Sequence, residues 1–274
     1  MTGFHRTALG AAAVCLSLGA MAVSAGEAMA GVFDSGIPSS WSCIGTCGAS
    51  PADGVVSAPP SGATNYGWVS SDEGQSDVGL GLGAERSGSV LRTVAFTAEA
   101  GDELVFSFNY ITSDGAGYAD YAWARLLNSA LAPVSLLFTA RTTPGGSTVP
   151  GFGMPAIEAT IDPETVTIVP GGPDWSPLGE SSGTCYNTGC GYTGWVQSIY
   201  SILAGGTYYL EFGVVNWSDS AYQSGLAFDG ITVGGVVIGE PDPIPEPMTL
   251  SLLGAGVLGL AAARRGRKER KAMV

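Results

Sequence analysis

The sequence LVFSFNYIT, residues 104–112, decides the fold of this chain. Leu104, Phe106, Phe108 and Tyr110 occupy every second position of this stretch. Successive side chains of a β-strand point to opposite faces, so a period of two places these large side chains on one face. The stretch therefore predicts a strand whose aromatic face is buried.

The same signal returns in short segments on both sides, separated by turns that are rich in Gly, Pro, Ser and Asp. We predict strands at residues 66–70, 90–98, 121–128, 131–142, 157–161, 165–169, 195–203, 207–217, 226–233 and 236–238, and one short strand within residues 31–60. The rest of residues 143–194 is expected to be a long loop. Because no convincing helix appears outside the terminal segments, the predicted fold is an all-β antiparallel sandwich.

The central segment, residues 31–244, is strongly acidic. It holds four arginines against 21 Asp and Glu residues, which gives a formal charge of −17. Such a surface repels nucleic acid and anionic polymers and suits a soluble exported protein. We therefore expect no nucleic-acid partner.

Two residue types that carry much enzyme chemistry are missing from this segment. The only histidine is His5, and the only lysines are Lys268 and Lys271. This excludes Ser-His and Cys-His pairs, histidine-ligated zinc and Schiff bases within residues 31–244. The remaining route is carboxylate chemistry, as in glycoside hydrolysis, but no convincing acid pair is present. We predict no catalysis, with a carboxylate-based glycosidase as an alternative.

Four cysteines of this segment form two close pairs, Cys43 with Cys47 and Cys185 with Cys190. An even number of cysteines in an exported protein indicates two disulfides. Of the three connectivities we favour local pairing, in which each bond closes a short glycine-containing loop. The alternative is a zinc site made by all four thiolates, whose usual spacing is similar.

The beginning of the chain predicts an export signal. His5 and Arg6 precede an apolar run, residues 8–22, and small-residue cleavage patterns follow it. These features are typical of a secretory signal peptide. We therefore predict a signal peptide over residues 1–30 and a β-sandwich domain over residues 31–239.

The end of the chain has three parts. An acidic, Pro-rich linker, residues 240–247, contains Pro245, Glu246 and Pro247, and it is followed by the uncharged residues 248–263. A helix of that length spans about 24 Å, somewhat less than the roughly 30 Å hydrocarbon core of a bilayer.

The last part, residues 264–274, contains six Arg and Lys residues. These basic residues can snorkel to the membrane surface and favour a cytoplasmic location. We predict a short transmembrane helix over residues 248–263 and a basic cytoplasmic tail. The alternative is a buried core helix followed by a basic tail.

This order of parts resembles the PEP-CTERM signal of bacterial proteins that exosortase, a membrane-embedded enzyme, processes. The resemblance covers about the last thirty residues. It implies exosortase as a partner, a transient membrane anchor, and export across the inner membrane of a Gram-negative-type bacterium. The expected destination is the cell surface or the extracellular matrix.

A second resemblance concerns the folded body. GGTYYLEFGV, residues 205–214, and LAFDGITV, residues 226–233, resemble the closing strands of jelly-roll domains. These include carbohydrate-binding modules and domains of other exosortase-sorted proteins. The resemblance implies a jelly-roll-like sandwich, and it implies a structural Ca²⁺ near the last strand, which points to Asp229.

Asp114 and Asp120 are two further candidate calcium ligands. Calcium takes about six to eight oxygen ligands, many of them from loop carboxylates. Asp-Gly at residues 114–115 and 229–230 is equally typical of ordinary turns, and the turn interpretation is the stronger one.

Aromatic residues in the long loop are candidates for stacking on sugars. Trp175, Tyr186 and Tyr192 are the best placed. The alternative is that Trp175 packs the loop onto the sandwich. The main hypothesis is thus an exported, exosortase-processed, non-catalytic surface or matrix protein. The first alternative is a calcium-assisted carbohydrate-binding module that binds neutral exopolysaccharide.

Overall fold

A computed structural model describes residues 31–142 and 147–239 of the chain. The strands are β1 (Ser42–Ile44), β2 (Thr46–Ser50), β3 (Tyr66–Ser70), β4 (Glu85–Arg92), β5 (Phe96–Ala98), β6 (Glu103–Thr112), β7 (Tyr121–Asn128), β8 (Pro133–Arg141), β9 (Thr160–Asp162), β10 (Val169–Pro170), β11 (Gly191–Tyr192), β12 (Val196–Ser201), β13 (Gly206–Trp217), β14 (Ser224–Val233) and β15 (Val236–Val237). A short 3₁₀ helix covers Ser176–Ser181. Four predicted segments lie outside the described residues: the signal peptide (1–30), the linker with its motif (240–247), the transmembrane helix (248–263) and the basic tail (264–274).

The strands form two antiparallel sheets. The first sheet has the order β1-β4-β13-β7-β8, with β5 also paired to β13. The second has the order β10-β11-β6-β14-β3-β2, in which β12 also pairs with β6 and with β9, and β15 pairs with β14. The predicted antiparallel β-sandwich is therefore confirmed. Within the described residues, no helix has the length and apolar character needed to cross a membrane.

Phenylalanine rings from both sheets meet in the core. Phe108 of β6 stacks on Phe138 of β8 with ring centres 3.8 Å apart, and Phe212 of β13 stacks on Phe228 of β14 at 4.1 Å. Phe106 of β6 lies edge-on against Phe212 at 5.2 Å. Each stacked pair joins one sheet to the other, and all five rings are fully buried. The aromatic face predicted for residues 104–112 is therefore the inner face of the second sheet.

Most predicted strands are present, and β3 and β7 have the predicted bounds. Predicted strand 90–98 is two strands, because the chain leaves the ladder after Arg92 and pairs with β13 again from Phe96. No continuous strand covers residues 165–169: Val166 forms an isolated bridge with Val149, and Val169 and Pro170 pair with β11.

Both predicted disulfides are present. Cys43 is bonded to Cys47 and Cys185 to Cys190, with Cα–Cα distances of 6.2 and 5.6 Å. All four sulfur atoms are thus engaged in local pairs, and the four-thiolate zinc alternative is wrong. The second disulfide closes a turn next to the end of β6.

The sandwich has two distinct ends. Gly31 and Gly239, the outermost residues of the described body, line one groove together with Asp102 and Thr207. We call this the proximal end. Strands β6 and β13 begin there, and β6 extends about 33 Å away from it, given its ten residues. The opposite end, where β6 and β13 finish and β14 begins, is the distal end.

Candidate functional site

Three loops meet at the distal end. They are the β6–β7 loop (residues 113–120), the disulfide loop (residues 182–190) and the β13–β14 loop (residues 218–223). Ala116 N donates to the Thr188 carbonyl at 2.9 Å, and Tyr186 N donates to the Ser113 carbonyl at 2.9 Å. Ser113 N in turn donates to the Gln223 carbonyl at 3.0 Å. Main-chain hydrogen bonds therefore join all three loops.

The close approach of two of these loops depends on Gly115. A Cβ at that position would lie 2.5 Å from the Asn187 carbonyl oxygen, so any side chain there would push the β6–β7 loop away from the disulfide loop. This explains the glycine of the Asp-Gly pair without a metal ion.

Each of the three loops contributes one exposed tyrosine. Tyr118, Tyr186 and Tyr222 are 38%, 45% and 37% exposed. The ring centres of Tyr118 and Tyr186 are 5.6 Å apart, and those of Tyr186 and Tyr222 are 5.1 Å apart. We call these three residues the tyrosine patch. Sequence reasoning singled out only Tyr186, although Tyr118 and Tyr222 also stand in turn-rich segments, SDGAGYAD and SDSAYQSG, which is a signal of exposure.

Two buried carboxyl groups belong to the same end of the sandwich. Asp120 is fully buried: its Oδ1 accepts from Trp217 N at 2.7 Å, and its Oδ2 lies 2.7 Å from Ser224 Oγ. Asp114 is almost fully buried, and its Oδ1 accepts from Gly115 N at 2.6 Å. Asp114 Oδ2 has no hydrogen-bond partner.

This environment favours the neutral form of both carboxyl groups. Burial raises the pKa of Asp120 well above its usual value, and the negative charges of Asp114 and Asp219 add to this effect. Burial also raises the pKa of Asp114 to about 7, although the hydrogen bond from Gly115 favours its charged form. Two carboxylates close together in a medium of low dielectric cannot both ionise at low cost.

A chain of hydroxyl groups is consistent with a protonated Asp120. Ser224 Oγ donates to Thr112 Oγ1 at 2.7 Å, and Thr112 Oγ1 lies 3.4 Å from the Asp114 carbonyl oxygen. Ser224 Oγ also lies in donor position for Asp120 Oδ2, and because it has a single hydroxyl proton the two bonds compete for that proton. The network accommodates both forms of Asp120: the ionised form accepts from Ser224, and the protonated form donates to it.

The three predicted calcium ligands do not lie together. Asp229 of β14 pairs with Ser107 of β6, whereas Ser224, next to Asp120, pairs with Thr112, five residues further along the same strand. Asp229 Oδ2 accepts from Ser61 N at 3.4 Å. Across residues 31–142 and 147–239, no three His, Cys, Asp or Glu residues are grouped so as to hold a metal ion. The acid pair and Asp229 thus do not fit one shared calcium site.

Trp175 is placed differently from the sugar-stacking prediction. Its side chain is fully buried, and its Nε1 donates to Tyr66 Oη at 2.9 Å. It packs in a cluster on the outer face of the second sheet, with Val56, Tyr66, Ile111, Leu178 and Ala227. The prediction that Trp175 stacks on a ligand is therefore wrong, because the ring is enclosed. The alternative, in which Trp175 packs the loop onto the sandwich, is correct.

Tyr192 is half-buried in β11, where it pairs with Ile111 of β6 and Val169 of β10. Its side chain packs against the Trp175 cluster. Of the three predicted stacking residues, Tyr186 alone is in the tyrosine patch.

No protein-family model and no curated protein matches this chain. Among solved structures, it is similar to the K1 and K3 cleaved adhesin domains of Lys-gingipain from Porphyromonas gingivalis W83. The K1 domain is 16% identical and the K3 domain 17% identical to this chain, and both matches have a TM-score of 0.35. Each match covers 73% of this chain; it covers 94% of the K1 domain and 95% of the K3 domain. The enzymatically active domain of tailspike protein 4 from bacteriophage CBA120 matches with a TM-score of 0.29 and 10% identity, over 72% of this chain and 19% of that one.

We predict that Trp175→Ala destabilises the protein without affecting the tyrosine patch. Removing a fully buried indole leaves a cavity and an unpaired Tyr66 hydroxyl, so the free energy of unfolding should fall by about 3–5 kcal/mol. Urea unfolding measures this change. The control is Tyr186→Ala, which removes an exposed ring and should stay within about 0.5 kcal/mol of the wild type. Equal stability of the two variants would contradict the burial of Trp175.

We also predict that Asp114 makes stability depend on pH. Its folded pKa of about 7 lies above the value of about 3.9 for an unfolded Asp, so the folded state binds more protons between these values. The contribution of Asp114 to stability is therefore greatest below about pH 4 and falls as the pH rises to about 7.

Asp114→Asn keeps an oxygen that accepts from Gly115 N–H but cannot ionise. Relative to this variant, the wild type should lose up to about 1.4 kcal/mol per pH unit between about pH 5 and about pH 7. Urea unfolding at several pH values measures the difference, and every other carboxyl group is common to both proteins. Parallel stability curves for the two proteins would contradict the raised pKa.

Proposed function

We propose that this chain is an exported, exosortase-processed protein of the cell surface or extracellular matrix, without catalytic activity. The observation that carries this proposal is the order of the C-terminal parts: Pro245-Glu246-Pro247, then the uncharged residues 248–263, then the basic residues 264–274. The two disulfides support it, because such bonds persist in oxidising compartments outside the cytoplasm. The folded body then stays outside the membrane while the tail anchors it for processing.

The jelly-roll-like topology is part of the same proposal. Consecutive strands repeatedly change sheet: β6 belongs to the second sheet, β7 and β8 to the first, β12 to the second, β13 to the first and β14 to the second. This alternation is typical of double-sheet jelly rolls, which occur in many binding and structural proteins.

The second candidate function is a carbohydrate-binding module. It is favoured by the exposed ring of Tyr186 in a loop that a disulfide closes, because an aromatic face held on a rigid support is suited to stacking on sugars. If calcium assists sugar binding, Asp114 is its candidate ligand. The buried Oδ2 of Asp114 makes no hydrogen bond that metal binding would have to break. A glycosidase is less favoured, since the carboxyls of Asp114 and Asp120 are enclosed rather than open to a substrate.

We predict that the mature exported protein lacks the C-terminal tail. In a host that expresses exosortase, intact-mass measurement should give a chain that begins at Gly31 and ends upstream of residue 248. The control replaces Pro245, Glu246 and Pro247 by Ala, which should leave the tail attached and the protein in the membrane fraction. A mature wild-type protein that still ends at Val274 would contradict the proposal.

A further inference from the structure

We propose that the tyrosine patch binds an extended stretch of a neutral polysaccharide and that it faces away from the site of membrane attachment. The inference deepens the second candidate function, on which it rests. It replaces Trp175 by Tyr118, Tyr186 and Tyr222 as the residues that touch the ligand.

The three rings form one continuous surface. Their centres are 5.6 and 5.1 Å apart, so neighbouring rings are in direct contact and leave no space for a small ligand between them. This geometry differs from an aromatic cage around a cation, in which the rings surround the guest. The Tyr118 ring lies at 80° and the Tyr222 ring at 47° to the Tyr186 ring, so the patch presents ring faces and ring edges rather than one flat platform. A ligand that contacts all three rings must therefore extend along the patch, stacking on one ring while it touches the others, as a chain of several linked sugars can.

The patch is held in place before any ligand binds. Each tyrosine belongs to a loop that is hydrogen-bonded through its main chain to another of the three loops, and the Cys185–Cys190 bond lies next to Tyr186. Ser113 Oγ also donates to the Ser181 carbonyl at 2.7 Å, while Ser181 Oγ accepts from Gln223 N at 3.1 Å. Less conformational entropy is therefore lost on binding than with three independent loops.

Tyr222 supports a role beyond folding. Its φ of 56° lies in the left-handed region, which residues other than glycine adopt at a cost. Glycine would fit this backbone at lower cost, and the Tyr222 ring is too exposed to contribute much to the core. Its ring contacts Tyr186 and extends the patch by one ring.

The charge around the patch selects an uncharged ligand. The three loops contain no Arg or Lys, and Asp219 is their only acidic residue that is not buried. The four arginines of the body lie on strands β4, β7 and β8 of the first sheet. Arg141, whose Nε donates to the Ala119 carbonyl at 3.0 Å, has its guanidinium over the Trp217 ring. The formal charge of −17 over residues 31–244 repels an anionic polysaccharide, whereas a neutral one meets no such repulsion.

The position of the patch suits a protein that is tethered through a terminus. Gly31 and Gly239 lie at the proximal end, whereas the patch lies at the distal end, with the length of β6 between them. Any attachment that continues from Gly239 therefore starts at the far side of the body from the tyrosines. A polysaccharide can approach the patch without meeting the attached surface.

The test uses the mature exported protein on an array of neutral bacterial and plant glucans, galactans and mannans, with polygalacturonate as the anionic comparison. A hexasaccharide of the best neutral ligand is then titrated calorimetrically. Tyr186→Ala should raise Kd about tenfold, since the central ring is lost. Tyr186→Phe, which keeps the ring, and Phe152→Ala, which removes a ring that is 64% exposed outside the patch, should change Kd less than about twofold.

All variants should keep the wild-type melting temperature, because each altered ring is exposed. The proposal is overturned if no neutral glycan binds, if polygalacturonate binds in preference, or if Tyr186→Ala binds as well as the wild type. Each of these results leaves the proposed export and processing unaffected, since the mass of the mature protein tests those separately.

Discussion

Five interlocking phenylalanine rings set the distance and register between the two sheets. The pairs Phe108–Phe138 and Phe212–Phe228 each join one sheet to the other, and Phe106 lies against both pairs. Protein interiors are close-packed, so side chains of this size leave few alternative ways to pack the sheets. With the spacing fixed, the ends of β6 and β13 and the start of β14 meet at one place, and the loops attached there are brought together. The tyrosine patch depends on this convergence.

The distal end is held together by a different interaction from the core. Beneath its loops lie Asp120, Ser224 and Thr112, which are buried and linked by hydrogen bonds. Removing one member of such a network leaves its partners unsatisfied in a medium of low dielectric, so the network specifies one arrangement of the loops. Hydrogen bonds between buried polar groups therefore hold the loops in place, whereas packing between apolar rings holds the two sheets together.

The sequence predicted the sandwich well because its strands are encoded locally. Phe106, Phe108 and Tyr110 alternate at a period that only a strand satisfies, and the two disulfides follow from short spacing between cysteines. The burial of Trp175 could not be predicted from local sequence patterns. The residues that enclose it, Val56, Tyr66 and Ile111, come from distant parts of the chain. The same holds for the tyrosine patch, whose members are separated by 68 and 36 positions in the sequence and meet only in the folded sandwich. Asp114 and Asp120 are close in sequence, but nothing local showed that both are buried.

If the distal end contacts a neutral polysaccharide while the proximal end leads to the point of attachment, ligand contacts must be confined to the distal loops. A chemical-shift titration of the isotope-labelled mature protein, with the hexasaccharide selected on the glycan array, measures where those contacts lie. We expect the shift changes to centre on Tyr118, Tyr186 and Tyr222. Changes centred instead on the proximal groove, around Val94 and Val236, would contradict it.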